Sequence, residues 1–384
     1  MDNIKPIKIL HVVGAMNRAG TETMLMNLYR NMNREKVQFD FISYSQEDAE
    51  YDLEIRKLGG RVIKLSKTLS IKEIYDAIKQ YGPYEAVHSH TLFHCGIANM
   101  AARLAGVKIR VAHAHTTLDK SDRFTRKLYI RLMRYTINTF STNLLACSNE
   151  AGRYLFGEKR LTNIKYSYFP NVIDYSLFLK DRSKDVRKFK VEEGLGNSLV
   201  IGHIGRFIEA KNHPFLLQIL KSAIKSDPTI KLMLVGDGDV REQIEEAAKK
   251  EGIYANIRFV GIRTDIPIML RSMDIFVFPS LYEGLGLVLL EAQASGVPCV
   301  VSEAIQPEAD LEIGLVSKLS LADSPEVWAD KILELANKKE KNTNKIIDSF
   351  ERSGYSLPLG ISKLMKIYKL HDGGVYEKYI DRLL

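Results

Sequence analysis

The stretch Asp274-Ile275-Phe276-Val277-Phe278-Pro279-Ser280-Leu281-Tyr282-Glu283-Gly284-Leu285-Gly286-Leu287-Val288-Leu289-Leu290-Glu291-Ala292 decides how the chain is read. It opens as a short apolar run, the pattern of a strand buried on both faces of a parallel sheet. A proline and a glycine loop follow, and then the start of a helix. At such a junction the free amides of Gly286, Leu287 and Val288 can aim at an anion, aided by the helix dipole. Gly286 lets the backbone approach a ligand closely. Glu283 sits on the loop and Glu291 about a turn and a half into the helix. A carboxylate is a good acceptor for a diol, so this pair can bracket one ligand from both ends. The plainer reading of the same acids is a solvated helix start favoured by the dipole.

Working outward, apolar runs alternate with helix-period segments along the whole chain. Ile7–Val13, Val37–Tyr44, Arg61–Leu65, Glu85–His90, Lys108–His115 and Asn143–Ser148 read as strands, and Thr21–Met32 as a helix. The pattern restarts with Leu199–Gly205, Ile230–Val235, Ile257–Val260, Asp274–Phe278 and Pro298–Ser302. Such alternation implies an α/β chain of two Rossmann-like, doubly wound domains, expected to face one another across a cleft. The expected boundaries are 1–180 for a first domain, 181–197 for a charged linker ending in Gly-Leu-Gly-Asn, and 198–355 for a second domain. Residues 356–384 form a closing helical segment able to pack back on the first domain. Ligands of open parallel sheets sit beyond the carboxyl ends of the strands, so the loops there carry the chemistry.

In the loop Gly205-Arg206-Phe207-Ile208-Glu209-Ala210-Lys211-Asn212, Arg206 and Lys211 offer two cations able to neutralise a diphosphate and the charge that builds on it during bond cleavage. The opening loop, Gly14 to Glu22, puts Gly20 where backbone can approach phosphate or sugar; it has neither Gly-Lys-Ser/Thr nor Gly-x-Gly-x-x-Gly. Asp237-Gly238-Asp239 resembles a metal-binding Asp-x-Asp, but its place between strand and helix makes Asp239 a natural N-cap and the triplet a structural turn. His88 and His90 end one strand, His113 and His115 another. A histidine there can orient a hydroxyl or move a proton, whereas His113 equally suits a buried core position. A metal site from these four lacks acidic or cysteine partners at matching spacing. No metal and no cofactor is expected.

The 384 residues hold 45% hydrophobic and 27% charged side chains, enough for a substantial core. Cys95, Cys147 and Cys299 are odd in number and scattered, against a disulfide framework and in favour of a reducing compartment. The first residues lack a signal-peptide pattern, and no apolar run reaches the length of a membrane span. The net charge of +8 is uneven: residues 1–180 carry 27 Lys+Arg against 17 Asp+Glu, and the remainder 28 against 30. Basic first halves suit nucleic acid, anionic membrane or simple solubility. Nucleic acid is set aside for want of aromatic-basic interleaving or a known module. A helix over Arg123–Asn138 is expected to bury the stripe Phe124, Leu128, Leu132 and Tyr135. Arg123, Arg126, Lys127, Arg131 and Arg134 form another face, with Ile130 and Ile137 among them, suited to an anionic lipid surface.

Gly205-Arg206 with Lys211, Val235-Gly236-Asp237-Gly238, Phe259-Val260-Gly261, and Pro279-Ser280 followed by Glu283-Gly284 through Glu291-Ala292 resemble the retaining family 4 glycosyltransferases of the GT-B fold. Ile201–Phe207 with Lys211-Asn212-His213 resembles the branch that builds bacterial capsular and extracellular polysaccharide. The first half is similar through Ala19-Gly20-Thr21-Glu22, the histidine strand ends and Pro170-Asn171-Val172-Ile173-Asp174. It departs where Val172 replaces a usual glycine and Gly286 a frequent proline. The resemblance implies that Arg206 and Lys211 bind a donor diphosphate and that Gly286, Leu287 and Val288 give amides to phosphate or sugar. Glu291 would then hold the ribose, Glu283 the sugar or phosphate side, and the loop carrying Arg263 would lie by the base. A histidine at the second histidine strand end, best matched by His115, would contact the donor sugar. It implies metal-independent transfer of a hexose or N-acetylhexosamine with retention, by front-face attack in which the leaving phosphate takes the acceptor proton. The donor is expected to be a nucleotide-diphosphate sugar, UDP-linked by family habit, and the acceptor a lipid-linked saccharide. The setting is the cytoplasm, peripherally at the inner face of the cytoplasmic membrane. The alternative is a nucleotide-sugar epimerase on the same fold, which needs no lipid acceptor.

Overall fold

The computed structural model describes residues 6–116, 124–336 and 338–370. The chain divides into two compact units, one made of residues up to Val172 together with those from Gly354 onward, the other of Ile173–Ser353.

In the first unit β1 (Ile7–Val13), β2 (Val37–Ser43), β3 (Val62–Lys64), β4 (Ala86–Ser89), β5 (Ile109–Ala114), β6 (Asn143–Ala146) and β7 (Tyr166–Tyr168) form one sheet in the order β3-β2-β1-β4-β5-β6-β7. In the second, β8 (Val200–Ile204), β9 (Lys231–Val235), β10 (Ile257–Gly261), β11 (Ile275–Phe278), β12 (Cys299–Ser302) and β13 (Val316–Leu319) run β10-β9-β8-β11-β12-β13. Adjacent strands pair in parallel in both sheets. β2 and β11 are buried at every residue; β11 is continuously apolar, whereas β2 alternates apolar residues with Gln38 and Asp40, which Tyr29 and Tyr84 hydrogen-bond inside the fold. The expected doubly wound α/β architecture is therefore present twice. Two strands escaped the sequence reading, β7 and β13. Both lie at sheet edges, have three or four residues and are partly exposed, so no apolar run marks them.

The span 181–197, read as a linker, instead carries the helix Ser183–Glu192. Its Phe189 is buried, and it packs on the helix Ile266–Ser272 within the second unit. Charged residues cover its other faces, so the sequence resembled a solvated connection. A different return occurs at the end of the chain. The helix Leu357–Ile367 puts Leu357, Ile361 and Leu364 into the core of the first unit, beside Met24 and Leu28 of the helix Gly20–Asn31 and Phe39 and Phe41 of β2. Tyr368, fully buried at its end, shares a 2.7 Å hydrogen bond with His88 Nδ1.

Each sheet reverses its strand order once, between β1 and β4 and between β8 and β11. Connections leave such a point in opposite directions, opening a crevice at the carboxyl ends. In the second unit the loops flanking it are 205–212 and 279–286, the two that hold the sequence-predicted cations and glutamates.

Val172, where the resemblance leads us to expect glycine, is fully buried against Gly360. A Cβ on Gly360 would lie 2.5 Å from Val172 Cγ1. Overpacking of this kind costs about 1–3 kcal/mol. Gly360→Ala is therefore expected to destabilise the protein by that amount in urea melts, and Val172→Gly to recover much of the loss in the double variant. Additive losses would disprove the coupling.

Candidate functional site

β8 ends at Ile204, and the chain then forms a short turn at Glu209–Lys211 before the helix His213–Ser226. Leu281 N donates to Ala210 O at 2.8 Å, tying this loop to the one after β11. Across that link the Lys211 ammonium pairs with the Glu283 carboxylate. Their side chains are only 15% and 13% exposed, so each charge depends on the other for its neutralisation. Lys211 Nζ also lies 4.6 Å from the centre of the Phe278 ring, a cation–π contact.

Phe278 also fixes the next element. Gly286 has φ +80°, and a Cβ there would approach Phe278 Cε1 to 3.1 Å. The left-handed turn it allows starts the helix Leu287–Ala294, which has no side-chain cap. Its first-turn amides have no partners within the helix, so Gly286, Leu287 and Val288 offer an anion-binding edge next to Lys211. Glu291, one turn further on, is half-buried, and desolvation pushes its carboxyl up to about 7.

The other sequence-predicted donor residues are arranged differently. Arg206 is exposed and lies 3.7 Å from Asp239. Asp239 is thus an ion-pair partner and not an N-cap, since the helix Arg241–Lys250 begins at Val240 with no side-chain cap. The loop around Gly236 and Gly238 braces the Arg206 loop: Phe207 N donates to Asp237 O at 2.9 Å, and a Cβ on Gly236 would sit 2.1 Å from Gly205 O. Arg263 donates to both oxygens of Asp265, at 2.8 and 2.6 Å, and lies over the Phe189 ring. So Lys211, Glu283 and Gly286 come together around Phe278, while Arg206 and Arg263 each hold an aspartate of their own.

In the first unit Gly20 is the exposed first residue of its helix, again without a side-chain cap. Glu22 in the same turn was not singled out from sequence; burial raises its carboxyl to about 7. His115 shares a 2.8 Å hydrogen bond with His90, and burial pulls its imidazole down to about 3. His90 also meets His11 at 3.1 Å, and His88 meets His113 at 3.2 Å. His113 is buried, as a core position would be, yet bonded into this array. His11 was missed because only the strand order places it opposite His88. Among the described residues, the groups close enough to share a metal ion are His11/His88/His90 and His90/His113/His115.

The basic helix, Phe124–Phe140, corrects an expectation. Leu128, Leu132 and Tyr135 are 60%, 57% and 70% exposed, whereas Met133 and Ile137 are buried. Both stripes have helical spacing. The second wins because the helix lies backbone-close to Gly96, whose Cβ would come within 3.0 Å of Ile137 N. Lys127 and Arg131 are exposed beside the outward apolar stripe. Arg134 instead donates to Tyr154 O at 2.6 Å, and Arg126 lies over the rings of Phe93 and Tyr129. Arg123 is outside the described residues. Among the described residues no helix is long and apolar enough to cross a membrane.

Comparison with known proteins agrees with this layout. Residues 185–350 match the family model described as glycosyl transferases group 1, and residues 18–177 that of glycosyltransferase family 4. The chain is 39% identical over 371 residues to the putative glycosyltransferase EpsF of Bacillus subtilis, covering 94% of this chain and 96% of that one. It is 28% identical over 324 residues to the Escherichia coli UDP-Gal:alpha-D-GlcNAc-diphosphoundecaprenol alpha-1,3-galactosyltransferase, covering 80% and 81%. The fold is similar to that of Anabaena Alr3699/HepE in complex with UDP-glucose, with a TM-score of 0.74 at 18% identity over 98% of this chain and 100% of that one. Matched in both halves by the family's models and along nearly its whole length by a close relative, the chain belongs to the family 4 glycosyltransferases of the GT-B fold.

Proposed function

We propose that the protein transfers a hexose or N-acetylhexosamine, with retention, from a UDP-sugar to a lipid-linked saccharide during polysaccharide assembly at the membrane. The observation that carries this reading is the buried Lys211–Glu283 pair beside the uncapped helix at Gly286. Without ligand the two charges neutralise each other. A diphosphate arriving at the amides of Gly286, Leu287 and Val288 offers Lys211 a second anion, freeing Glu283 to accept from a sugar hydroxyl. Arg206, exposed on the neighbouring loop, supplies further positive charge as negative charge builds on the leaving phosphate. Glu291 accepts from the ribose diol and Arg263 lies by the base. Gly20 lends backbone to the donor, and His115 orients a sugar hydroxyl. The cations do the work of a metal ion, so transfer needs none, and the leaving phosphate takes the acceptor's proton. The alpha-1,3 linkage made from UDP-Gal and the diphosphoundecaprenol carrier named for the E. coli relative support the retaining outcome and the acceptor class. The outward stripe Leu128, Leu132 and Tyr135 with Lys127 and Arg131 would meet anionic lipid, bringing the enzyme to that acceptor at the cytoplasmic face.

A UDP-sugar and a diphosphoprenyl saccharide are the substrates to test, with the product anomer read by NMR. An α-linked product formed in the presence of chelator is expected. Free isomerised sugar without acceptor would replace this reading by an epimerase. Lys211→Ala should lower kcat/KM about 10²–10³-fold, the loss typical of removing one charge-stabilising donor; an unchanged value would remove Lys211 from the site.

The raised carboxyl of Glu291 gives a pH signature. The folded state retains a proton between the ordinary value of 4.5 and about 7, so its stability falls as pH climbs through that window. Glu291→Gln should therefore melt higher than wild type at pH 8, by on the order of 1–2 kcal/mol given its partial exposure. The gain should vanish below pH 4.5 while UDP-sugar affinity drops. A lower melting temperature at pH 8 contradicts the assignment.

Lipid docking is tested by co-sedimentation with phosphatidylglycerol vesicles. At about 1 kcal/mol per cation, Lys127→Gln with Arg131→Gln should weaken binding roughly thirty-fold. Leu128→Ser with Leu132→Ser should weaken it independently of salt. Equal sedimentation of all forms would exclude this face.

A further inference from the structure

The histidines of the first sheet hold more than one sugar contact requires. Five of the nine in the chain, His11, His88, His90, His113 and His115, lie on one face at the carboxyl ends of β1, β4 and β5. Register explains their convergence: His11 pairs with His88, and Ser89 with Ala112, so His90 follows on beside His113. The geometry points to a transition-metal site at the outer end of this array, where one ring nitrogen each from His90, His113 and His115 binds a divalent ion of the zinc class.

Those three nitrogens lie within 4.8 Å of one another. The ring centres are 4.0 Å apart for His113 and His115, and 5.1 and 5.4 Å from His90. Nitrogen ligands at about 2.0–2.1 Å from a tetrahedral ion are about 3.4 Å from each other. Modest ring rotations bring the trio to that spacing.

The outer trio is favoured over His11/His88/His90 by access. His11 and His88 are 0% and 1% exposed, whereas His90 and His115 are half-buried and give an ion a way in. The nitrogens of His88 are taken by Tyr368 and His113; those of His90, common to both trios, meet His11 and His115, and an ion would replace the contact to His115. His113 and His115 further meet the backbone of Phe169 and the side chain of Asn171. The contact from His88 to His113 Nδ1 also leaves Nε2 as the coordinating atom and fixes the ring, the usual outer-shell arrangement. A donor set of nitrogen alone suits zinc, nickel or copper and disfavours magnesium and calcium. Three protein ligands leave a fourth position for water. An ion on His115 would compete with the sugar contact proposed for that residue above, so the two uses exclude one another, and ion binding is read without assaying transfer.

The test is a cobalt(II) titration of the tag-free, chelator-treated full chain. One ion per chain with the intense visible bands of four-coordinate cobalt is expected, displaced by zinc and unaffected by magnesium. His90→Gln and His113→Gln should each weaken cobalt at least ten-fold. His203→Gln, in the second unit, should leave it unchanged. Absence of the bands, unaltered affinity in both variants, or loss in His203→Gln would overturn the assignment. If a variant does not fold, X-ray absorption of the zinc-loaded wild type decides: three imidazoles at about 2.0 Å support the site, and fewer than two refute it.

Discussion

The contact that ties together the two loops at the second unit's reversal point is the buried pairing of Lys211 with Glu283. Two parallel strands, β8 and β11, are neighbours at the point where strand order reverses, so their following loops lie side by side. One loop brings a cation, the other a carboxylate, and neither could be buried alone. Phe278 links the pair to the rest: it ends β11, presents its face to Lys211 and excludes any side chain at position 286. The same ring therefore sets a charge and a backbone conformation, and the uncapped helix start follows from the latter. Change at any of these positions is felt at the others, because they share one small volume.

In the proposed mechanism the diphosphate is neutralised by groups that belong to the chain itself. Positive charge is fixed to the backbone, through Lys211, Arg206 and oriented amides. Fixed charges need little reorganisation when the glycosidic bond breaks. The Asp237–Asp239 turn, which looks like a cation site in sequence, is used up in bracing: its backbone accepts from Phe207 and Asp239 balances Arg206.

How much of this could be read beforehand follows from what each signal depends on. β11 announces itself by an uninterrupted run of Ile, Phe and Val, and β1, β2 and β8 by a majority of apolar residues around Lys8, His11, Gln38, Asp40 and His203. Residues that act through sequence-local geometry, such as Gly286 before its helix, were plain as well. Edge strands β7 and β13 bury too little to leave a run. The helix Ser183–Glu192 contributes one deeply buried side chain, Phe189, and was hidden by its charges. The face of the helix Phe124–Phe140 was misjudged because two stripes fit one period, and only a neighbour, Gly96, selects between them. His11 and Asp239 needed partners distant in sequence or a knowledge of the exact helix start.

The two reversal points make an instructive contrast. Both place polar side chains at the carboxyl ends of adjacent parallel strands, yet one uses full charges and the other imidazoles. The difference follows from what surrounds them. At β8 and β11 a cation and an anion arrive together, so burial leaves no net charge. At β1 and β4 the neighbours are Phe39, Phe41 and the returning helix Leu357–Ile367, with no carboxylate among the recorded partners of the histidines. Only side chains that are neutral at pH 7 and still carry both a donor and an acceptor can pack there, and histidine alone does so with a basic nitrogen to spare. The returning helix completes the arrangement by bringing Tyr368 to His88, so the chain's last described segment closes the most buried end of the array and leaves His90 and His115 as its open end.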